Sequence, residues 1–299
     1  MHVRSPKTSF ASERSVESVE KAPRSFRPLH RHTSKPSSST TGWADTPFRL
    51  IPTPRKSMSE SGAVFVASEM ASIHNMILRG LNSIVQQGPH VPDARQPGYH
   101  AQDVSDFLVY VTAWCDTLEH HHNVEHSTLF PHIEQMAEVP DLMDEMEEQH
   151  EEFSLGLYYL KEYAETAVDR PYLYRWRTMN KMIMDFAPAL THHLHDEIDF
   201  LLSMNKFDCE GLRRCWLEAQ KVAVQFEDDK VKYKVLPFVL GNSDRSYENG
   251  NNFPHLSTST RCAVKLYFSG KHRGAWRFNS CDFHGRPVPL AMLPENRED

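Results

Sequence analysis

The amino-acid sequence predicts an all-α protein whose core is a four-helix bundle with an up-down-up-down course. Four segments between residues 61 and 205 repeat apolar side chains at alternating three- and four-residue steps, which keeps them on one face of a helix. Short connections join the second, third and fourth segments, and this favours antiparallel packing of neighbouring helices. Each apolar face is also interrupted by a histidine, or by a histidine and a glutamate four residues apart.

The first two predicted helices end at proline. The first spans about residues 61–87 and ends where Gly88-Pro89 prevents it from continuing. The second spans about residues 101–130, where Pro131 ends or kinks it. Their inward faces carry, respectively, Ala67, Met70, His74, Ile77, Leu81 and Ile84, and Phe107, Val111, Trp114, Leu118, His121 and Glu125.

The third and fourth predicted helices begin next to proline. Pro140-Asp141 opens the third helix, and Asp141 is its expected N-cap. Asp169 and Pro171 open the fourth helix, which ends near Asn205. Their inward faces carry, respectively, Met143, Met146, His150, Phe153, Leu157 and Leu160, and Trp176, Met179, Ile183, Phe186, Leu190, His193, Glu197, Phe200 and Met204.

Two segments flank the bundle, which we assign to residues 61–205. Residues 1–60 are rich in serine, proline and basic side chains, which predicts a disordered tail. The glutamates at positions 13, 17 and 20 argue against a mitochondrial targeting helix there. Residues 206–299 are expected to form a helix from Cys209 to about Lys232, followed by an irregular stretch rich in aromatic residues and proline. We expect this accessory region to pack on the bundle; the alternatives are a binding site for a protein partner or for a membrane surface.

Composition excludes several classes of protein. A net charge of −7 argues against a nucleic-acid-binding protein. The five cysteines form no Cys-x-x-Cys pair, which indicates free thiols and a reducing compartment. Neither a transmembrane segment of roughly 18–20 apolar residues nor the apolar core of a signal peptide is evident. We therefore expect a cytoplasmic protein.

The inward-facing polar residues predict a metal centre. Burying four imidazoles and two carboxylates would cost several kcal/mol unless another group satisfies them. Residues four apart stack on one helix face, so each His-x-x-x-Glu pair can offer a nitrogen and an oxygen to the same ion. Neutral imidazole with carboxylate suits iron, manganese or zinc, and two carboxylates can bridge two ions. The candidate ligands are His74, His121, Glu125, His150, His193 and Glu197.

The order of these motifs resembles that of the hemerythrin-like, or HHE cation-binding, domain. The resemblance covers roughly residues 62–204 and is carried by Ile73–Leu81, His120–His122 with Glu125 and Leu129–Pro131, Gln149–Phe153, and His192–Glu197. It implies a bundle that holds two irons and binds a small diatomic ligand, oxygen or nitric oxide, or that senses these gases or iron. It also implies that Glu125 and Glu197 bridge the irons, that His74 and His121 cap one iron, and that His150 and His193 cap the other.

One position departs from the pattern of the family's oxygen carriers. They have a second histidine one turn after the third-helix histidine, and here that position is Ser154. Since serine is a poor ligand for iron, we expect two nearly equivalent irons, each with two histidines and an exchangeable position. This favours weaker metal binding or oxygen activation over reversible storage. His122 is expected to point away by about 100° of helix rotation; it, His120 and His126 are expected to be solvated or to orient a ligand.

Several alternatives stay open at this point. A ferritin-like oxygenase would use Glu-x-x-His pairs, and Glu119-x-x-His122 and Glu147-x-x-His150 have that spacing, but not on alternating helices. Asp196 is an alternative to Glu197 as the carboxylate ligand. The function is expected to be binding or sensing of oxygen, nitric oxide or iron; the alternatives are an oxidoreductase that activates oxygen or peroxide, and an adaptor that folds only when iron is bound.

Overall fold

The computed structural model describes residues 44–54, 61–225, 228–249 and 251–293, and this part of the chain is helical. Its one β pairing is an isolated bridge between Cys281 and Pro287. None of the helices in these ranges is both long and apolar enough to span a lipid bilayer. The five cysteines all lie within the described ranges and are free, as expected.

Four long helices surround one apolar core. Helix α4 packs against α2 and α5, and α1 packs against α5 and α2. The prediction of an all-α bundle is confirmed; its up-down-up-down course stays a prediction. The α-helices of the described ranges are α1 (Gly62–Gln87), α2 (Ala101–Val124), α3 (Phe130–Ala137), α4 (Asp144–Val168), α5 (Trp176–Ser203), α6 (Cys209–Ala223), α7 (Leu236–Asn242) and α8 (Thr258–Leu266).

The second predicted helix continues beyond Pro131 instead of ending at Phe130. A single π-helical turn, Glu125–Leu129, follows α2 and leads directly into α3. The N–H of Phe130 donates to the carbonyl of Glu125 across this wider turn. Pro131 is then the second residue of α3, where a missing N–H breaks no helical hydrogen bond. The turn is relevant to function because it contains Glu125, a candidate ligand.

Two predicted helix starts are wrong. Asp141 has a positive φ of 60° and is not the N-cap of α4, which begins three residues later at Asp144. Helix α5 begins at Trp176, because Pro171–Leu173 form a separate 3₁₀ turn. At its other end α5 gives way at Ser203 to a further 3₁₀ turn that contains Asn205.

Part of the predicted disordered tail is ordered. Residues 1–43 and 55–60 lie outside the described residues, but 44–54 lie along α1. Leu50 and Ile51 are buried, and the side chains of Asn75 and Asn82 hold the backbone of this segment through hydrogen bonds of 2.7–2.8 Å. Two buried aliphatic residues and two asparagines on one face of α1 are sufficient to dock this short segment.

The chain after the bundle, residues 206–293, is called the C-terminal extension below. The predicted fifth helix ends at Ala223, short of Lys232. The stretch expected to be irregular contains a second helical segment, in which a π-helical turn, Val231–Val235, leads into α7. Phe238 of α7 packs on Tyr110 of α2, with ring centroids 5.3 Å apart. Ala223 is also within reach of the bundle, because its carbonyl is hydrogen-bonded to His120 Nε2 at 3.0 Å.

Candidate metal centre

Seven buried side chains from α1, α2, α4, α5 and the π turn after α2 meet at one place inside the bundle. They are the six predicted ligands together with His122, and none is more than 9% exposed. They form two groups, and in each group one ligand atom from every residue lies within 4.8 Å of the others. The first group is His74, His121, Glu125 and Glu197; the second group is His122, His150 and His193.

The first group combines two imidazoles with two carboxylates. The Nε2 atoms of His74 and His121 are 3.2 Å apart. His74 Nε2 lies 3.2 Å from Glu197 Oε2, and His121 Nε2 lies 3.2 Å from Glu125 Oε1. Side chains from α1, α2, the π turn and α5 therefore direct four donor atoms towards a common point.

The second group consists of three imidazoles. The Nε2 atoms of His150 and His193 are 2.9 Å apart. The ring of His122 lies against the ring of His150, with centroids separated by 4.0 Å, and 5.9 Å from that of His193. His122 was expected to point away from the centre, and that expectation is wrong. The side chains of α2 meet α1 on one side and α4 on the other, so consecutive histidines on α2 can face different neighbours.

The two carboxylates of the first group also face the second group. Glu125 Oε1 is 3.2 Å from His121 Nε2, while Glu125 Oε2 is 3.7 Å from His150 Nε2. Glu197 Oε2 is 3.2 Å from His74 Nε2 and 4.0 Å from His193 Nε2. Each carboxylate therefore faces a histidine of both groups, as a bridging ligand must.

Hydrogen bonds on the far side of three rings fix their orientation. His74 Nδ1 donates to the carbonyl oxygen of Leu194 at 2.7 Å, and His193 Nδ1 donates to Gln149 Oε1 at 3.1 Å. With the proton on Nδ1, the lone pair of each ring is on Nε2, the nitrogen that faces the cluster. His150 Nδ1 is hydrogen-bonded to His126 Nε2 at 2.7 Å, so His126 has the orienting role that was one of its two expected roles.

Burial keeps four histidines of the cluster neutral. It lowers the pKa of His121, His122 and His193 well below the ordinary value, and neighbouring histidines lower it further. Burial, followed by His126 and His74, lowers the pKa of His150 to about 3. Neutral imidazoles have the free lone pair that a metal ion requires.

Burial shifts the pKa of Glu125 in the opposite direction. Burial, and then the charge of Glu197, raises the pKa of Glu125 well above its usual range. Both oxygens of Glu125 and of Glu197 are buried and accept no hydrogen bond, and Nε2 of His122 has no hydrogen-bond partner either. Unsatisfied buried polar atoms cost several kcal/mol, and cations would satisfy them together. The residues therefore fit a centre for divalent metal ions.

The remaining candidate ligands lie outside the cluster. Ser154 is exposed, and its hydroxyl donates to the carbonyl of Glu151 at 3.1 Å. Asp196 accepts a hydrogen bond from Gln149 Nε2 at 2.9 Å, so it supports the cluster from outside. Glu119 pairs with Lys161 at 2.5 Å, and Glu147 is about half exposed. Neither carboxylate of the two ferritin-like pairs is therefore part of the cluster.

A helical bundle with this donor set is typical of cation-binding proteins, and comparison with known proteins specifies the family. The model of the hemerythrin HHE cation binding domain matches residues 66–204. The chain is also similar to the dimeric xanthone biosynthesis cluster protein R11 of Cryptosporiopsis sp. (strain 8999), at 32% identity over 262 residues. These residues cover 86% of this chain and 95% of that protein. No solved structure matches the chain. The chain belongs to the hemerythrin HHE cation-binding family.

Proposed function

We propose that the cluster binds two divalent metal ions, iron by preference and manganese or zinc as alternatives. His74 and His121 would hold one ion, Glu125 and Glu197 would bridge, and His150 and His193 would hold the other ion. The observation that supports this most strongly is the set of four buried carboxylate oxygens without hydrogen bonds, three of which lie 3.2–3.7 Å from an imidazole nitrogen.

We extend the proposed ligand set to His122. It is the third imidazole of the second group, and its Nε2 is buried without a partner. It would supply the nitrogen that Ser154 cannot, so the ion of the second group would have three imidazoles and the ion of the first group only two. This replaces the expectation of two nearly equivalent irons. The exchangeable position would then lie at the first group.

At that position we propose that oxygen or nitric oxide binds. Ferrous iron supplies the electron density that either gas requires. The chain contributes the fixed direction of the imidazoles, through Leu194, Gln149 and His126, and a site from which bulk water is largely excluded. A protein that binds or senses such a ligand requires nothing more than these features.

Metal content tests this proposal. The protein is reconstituted anaerobically with ferrous iron and assayed by elemental analysis, next to a His121→Ala/His193→Ala double variant. We expect about two irons per chain in the wild type and a clear loss in the variant. The matched control is His120→Ala/His195→Ala, because these histidines are bonded to backbone carbonyls outside the cluster. Negligible iron in the wild type, or equal iron in the ligand variant, would contradict the proposal.

A second candidate function is an oxidoreductase that uses oxygen or peroxide on a small organic molecule. It is favoured by a cavity that borders His121 and Glu125. The similar protein R11 is named for a dimeric xanthone biosynthesis cluster, and we propose that this chain likewise serves the metabolism of a small organic compound. Oxygen consumption with excess reductant separates the two functions, since a binding protein takes up oxygen once per centre and an oxidoreductase takes it up repeatedly.

A further inference from the structure

An apolar cavity lies between the bundle and the C-terminal extension. The empty space within its lining, open solvent at the mouth included, is about 950 Å³. One wall comes from α1, α2 and the π turn Glu125–Leu129; the other comes from α6, the π turn Val231–Val235, α7 and residues 253–256. The extension therefore builds a site that the four bundle helices alone would not enclose.

The lining has a pronounced chemical pattern. Most of the surface that a ligand would meet is apolar, and it includes the side chains of Met70, Ile73, Val124, Val235 and Phe253. Polar groups are confined to a few places. His121 and Glu125 line the cavity from the metal centre. Glu69 and His255, whose side chains are 2.6 Å apart, also line it. Because Glu69 is paired with His255 and is almost completely buried, it offers little attraction for a charged ligand.

Trp216 provides a second, independent indication of a ligand. Its side chain lines the cavity and is only 6% exposed, and its indole N–H is buried without an acceptor among the described residues. A buried indole N–H normally finds a partner, and leaving it unsatisfied is unfavourable. A ligand oxygen would satisfy it where the bound ligand displaces the side chains that cover the N–H.

We propose that this cavity binds an uncharged, mainly apolar ring compound that carries a carbonyl or hydroxyl oxygen. The bound compound lies next to His121 and Glu125, beside the two-imidazole end of the metal centre. The apolar lining selects the ring system, and the N–H of Trp216 selects the oxygen. This inference names the class of compound on which the second candidate function, the oxidoreductase, would act. It depends on the proposed function only for the presence of the metal ions.

Binding of 9-fluorenone to the iron-loaded full chain, measured anaerobically by equilibrium dialysis, tests the cavity. We expect one molecule bound per chain. Ala219→Phe and Val239→Phe fill the cavity from α6 and from α7, and each is expected to weaken binding roughly tenfold or more. Leu217→Phe is the matched control, because Leu217 is 42% exposed on α6 and does not line the cavity. Circular dichroism and iron content show which variants remain folded and loaded.

A separate comparison tests whether the N–H of Trp216 recognises an oxygen of the ligand. Trp216→Phe removes the N–H and keeps an aromatic ring, so it is expected to weaken binding of 9-fluorenone by roughly fivefold more than binding of fluorene, which has no oxygen. Whether the bound compound lies close to the metal is tested by fluorine NMR of bound 2-fluoro-9-fluorenone. Its fluorine resonance is expected to be much broader with protein loaded with ferrous iron than with protein loaded with zinc.

The outcomes separate this inference from the proposed function. A loaded wild type that fails to bind 9-fluorenone, binding that neither filling variant weakens, or a fluorine resonance of equal width with both metals would overturn the inference. Absence of iron from the wild type would overturn the proposed function instead. In that case the dialysis comparison of wild type, Ala219→Phe and Leu217→Phe still decides whether the cavity binds the compound.

Discussion

The two groups of the candidate metal centre differ in composition and in surroundings. The first group has two imidazoles, and the apolar cavity borders it. The second group has three imidazoles and is covered by aromatic rings. Phe130 stacks on His150 at 5.8 Å with an angle of 22°, and Phe153 lies 5.7 Å from His193.

This difference shows how one bundle can make two unequal metal positions. His121 and His122 are neighbours on α2, yet one contacts the first group and the other the second. In the proposed account the ion held by three imidazoles would be the more saturated. The ion held by two imidazoles would keep a free position, beside the cavity. In the proposed account, ligand chemistry therefore takes place at the first group, and the second group anchors the centre.

Removing the connection between the groups should have the largest effect. Glu125→Gln keeps the shape of the side chain but removes a charged ligand that faces His121 and His150. We expect iron content to fall from about two per chain to one or fewer, measured by elemental analysis after anaerobic reconstitution. Glu119→Gln, on the same helix and outside the cluster, is the control. Full iron content in Glu125→Gln would show that this carboxylate does not bridge.

The attachment of the cavity wall is the next target. Asp116 of α2 is buried and binds Lys161 of α4 at 2.8 Å and Lys234 of the extension at 3.1 Å. Asp116→Asn removes the carboxylate that both lysines share, although Lys161 keeps its pair with Glu119. We expect the free energy of unfolding at pH 7 to fall by about 2–3 kcal/mol, as measured by urea titration, because the lysines remain partly hydrated.

The ion pairs of Asp116 also predict that the stability of the protein depends on pH. Burial alone would raise the pKa of Asp116, but the hydrogen bond from Lys161 and the charges of the three nearby lysines outweigh it and lower the pKa. A carboxylate with a lowered pKa in the folded state contributes stability above its unfolded pKa of about 3.9 and loses it as the pH falls. The difference in stability between wild type and Asp116→Asn should thus be constant between about pH 7 and 5 and shrink below about pH 4. A constant difference at all these values would contradict this assignment.

Removing the third imidazole should have a smaller effect, confined to the second group. His122→Ala is expected to weaken binding of one of the two irons by roughly 10- to 100-fold, as measured by competition with a chelator. Ser154→Ala should leave both affinities unchanged, because its hydroxyl bonds to the carbonyl of Glu151. Unchanged iron affinity in His122→Ala would return the centre to two equivalent positions.

The smallest effect is expected from the residue that orients His150. His126→Ala removes the hydrogen bond to His150 Nδ1 but leaves every proposed ligand in place. We expect roughly tenfold weaker binding of the same iron that His122→Ala affects. The check is whether the two substitutions act on one binding step of the titration. If His126→Ala affects the other step, the division into two groups is wrong.

Much of this arrangement was predictable from the sequence because periodicity reports which side of a helix faces the core. The six predicted ligands on the inward faces are all buried. Asp196 was separated from Glu197 by the same criterion, and the structure places it outside the cluster. A metal centre built from several helices is favourable for such reasoning, since each ligand is marked twice, by its chemistry and by its spacing.

The parts that were not predicted have local causes. The sequence pattern assumes that each helix has a single inward face. Helix α2 packs against both α1 and α4, so its inward face is wider and includes His122. Proline in a sequence predicts a helix end or kink, or irregular chain, and Pro131 and Pro237 were expected to follow this rule. In both places a π turn precedes the proline and leaves it at the second position of the next helix. The cavity depends on how α6 and α7 pack against α1 and α2. The periodic pattern of a single segment does not predict the packing between separate segments.

Mössbauer spectroscopy of protein loaded with ⁵⁷Fe measures whether the two metal positions are unequal. We expect two quadrupole doublets of equal area, one for each group, since one iron would have two imidazoles and the other three. In His122→Ala only one of these doublets should change. A single doublet for both irons, or a change in both doublets on removal of His122, would contradict the account.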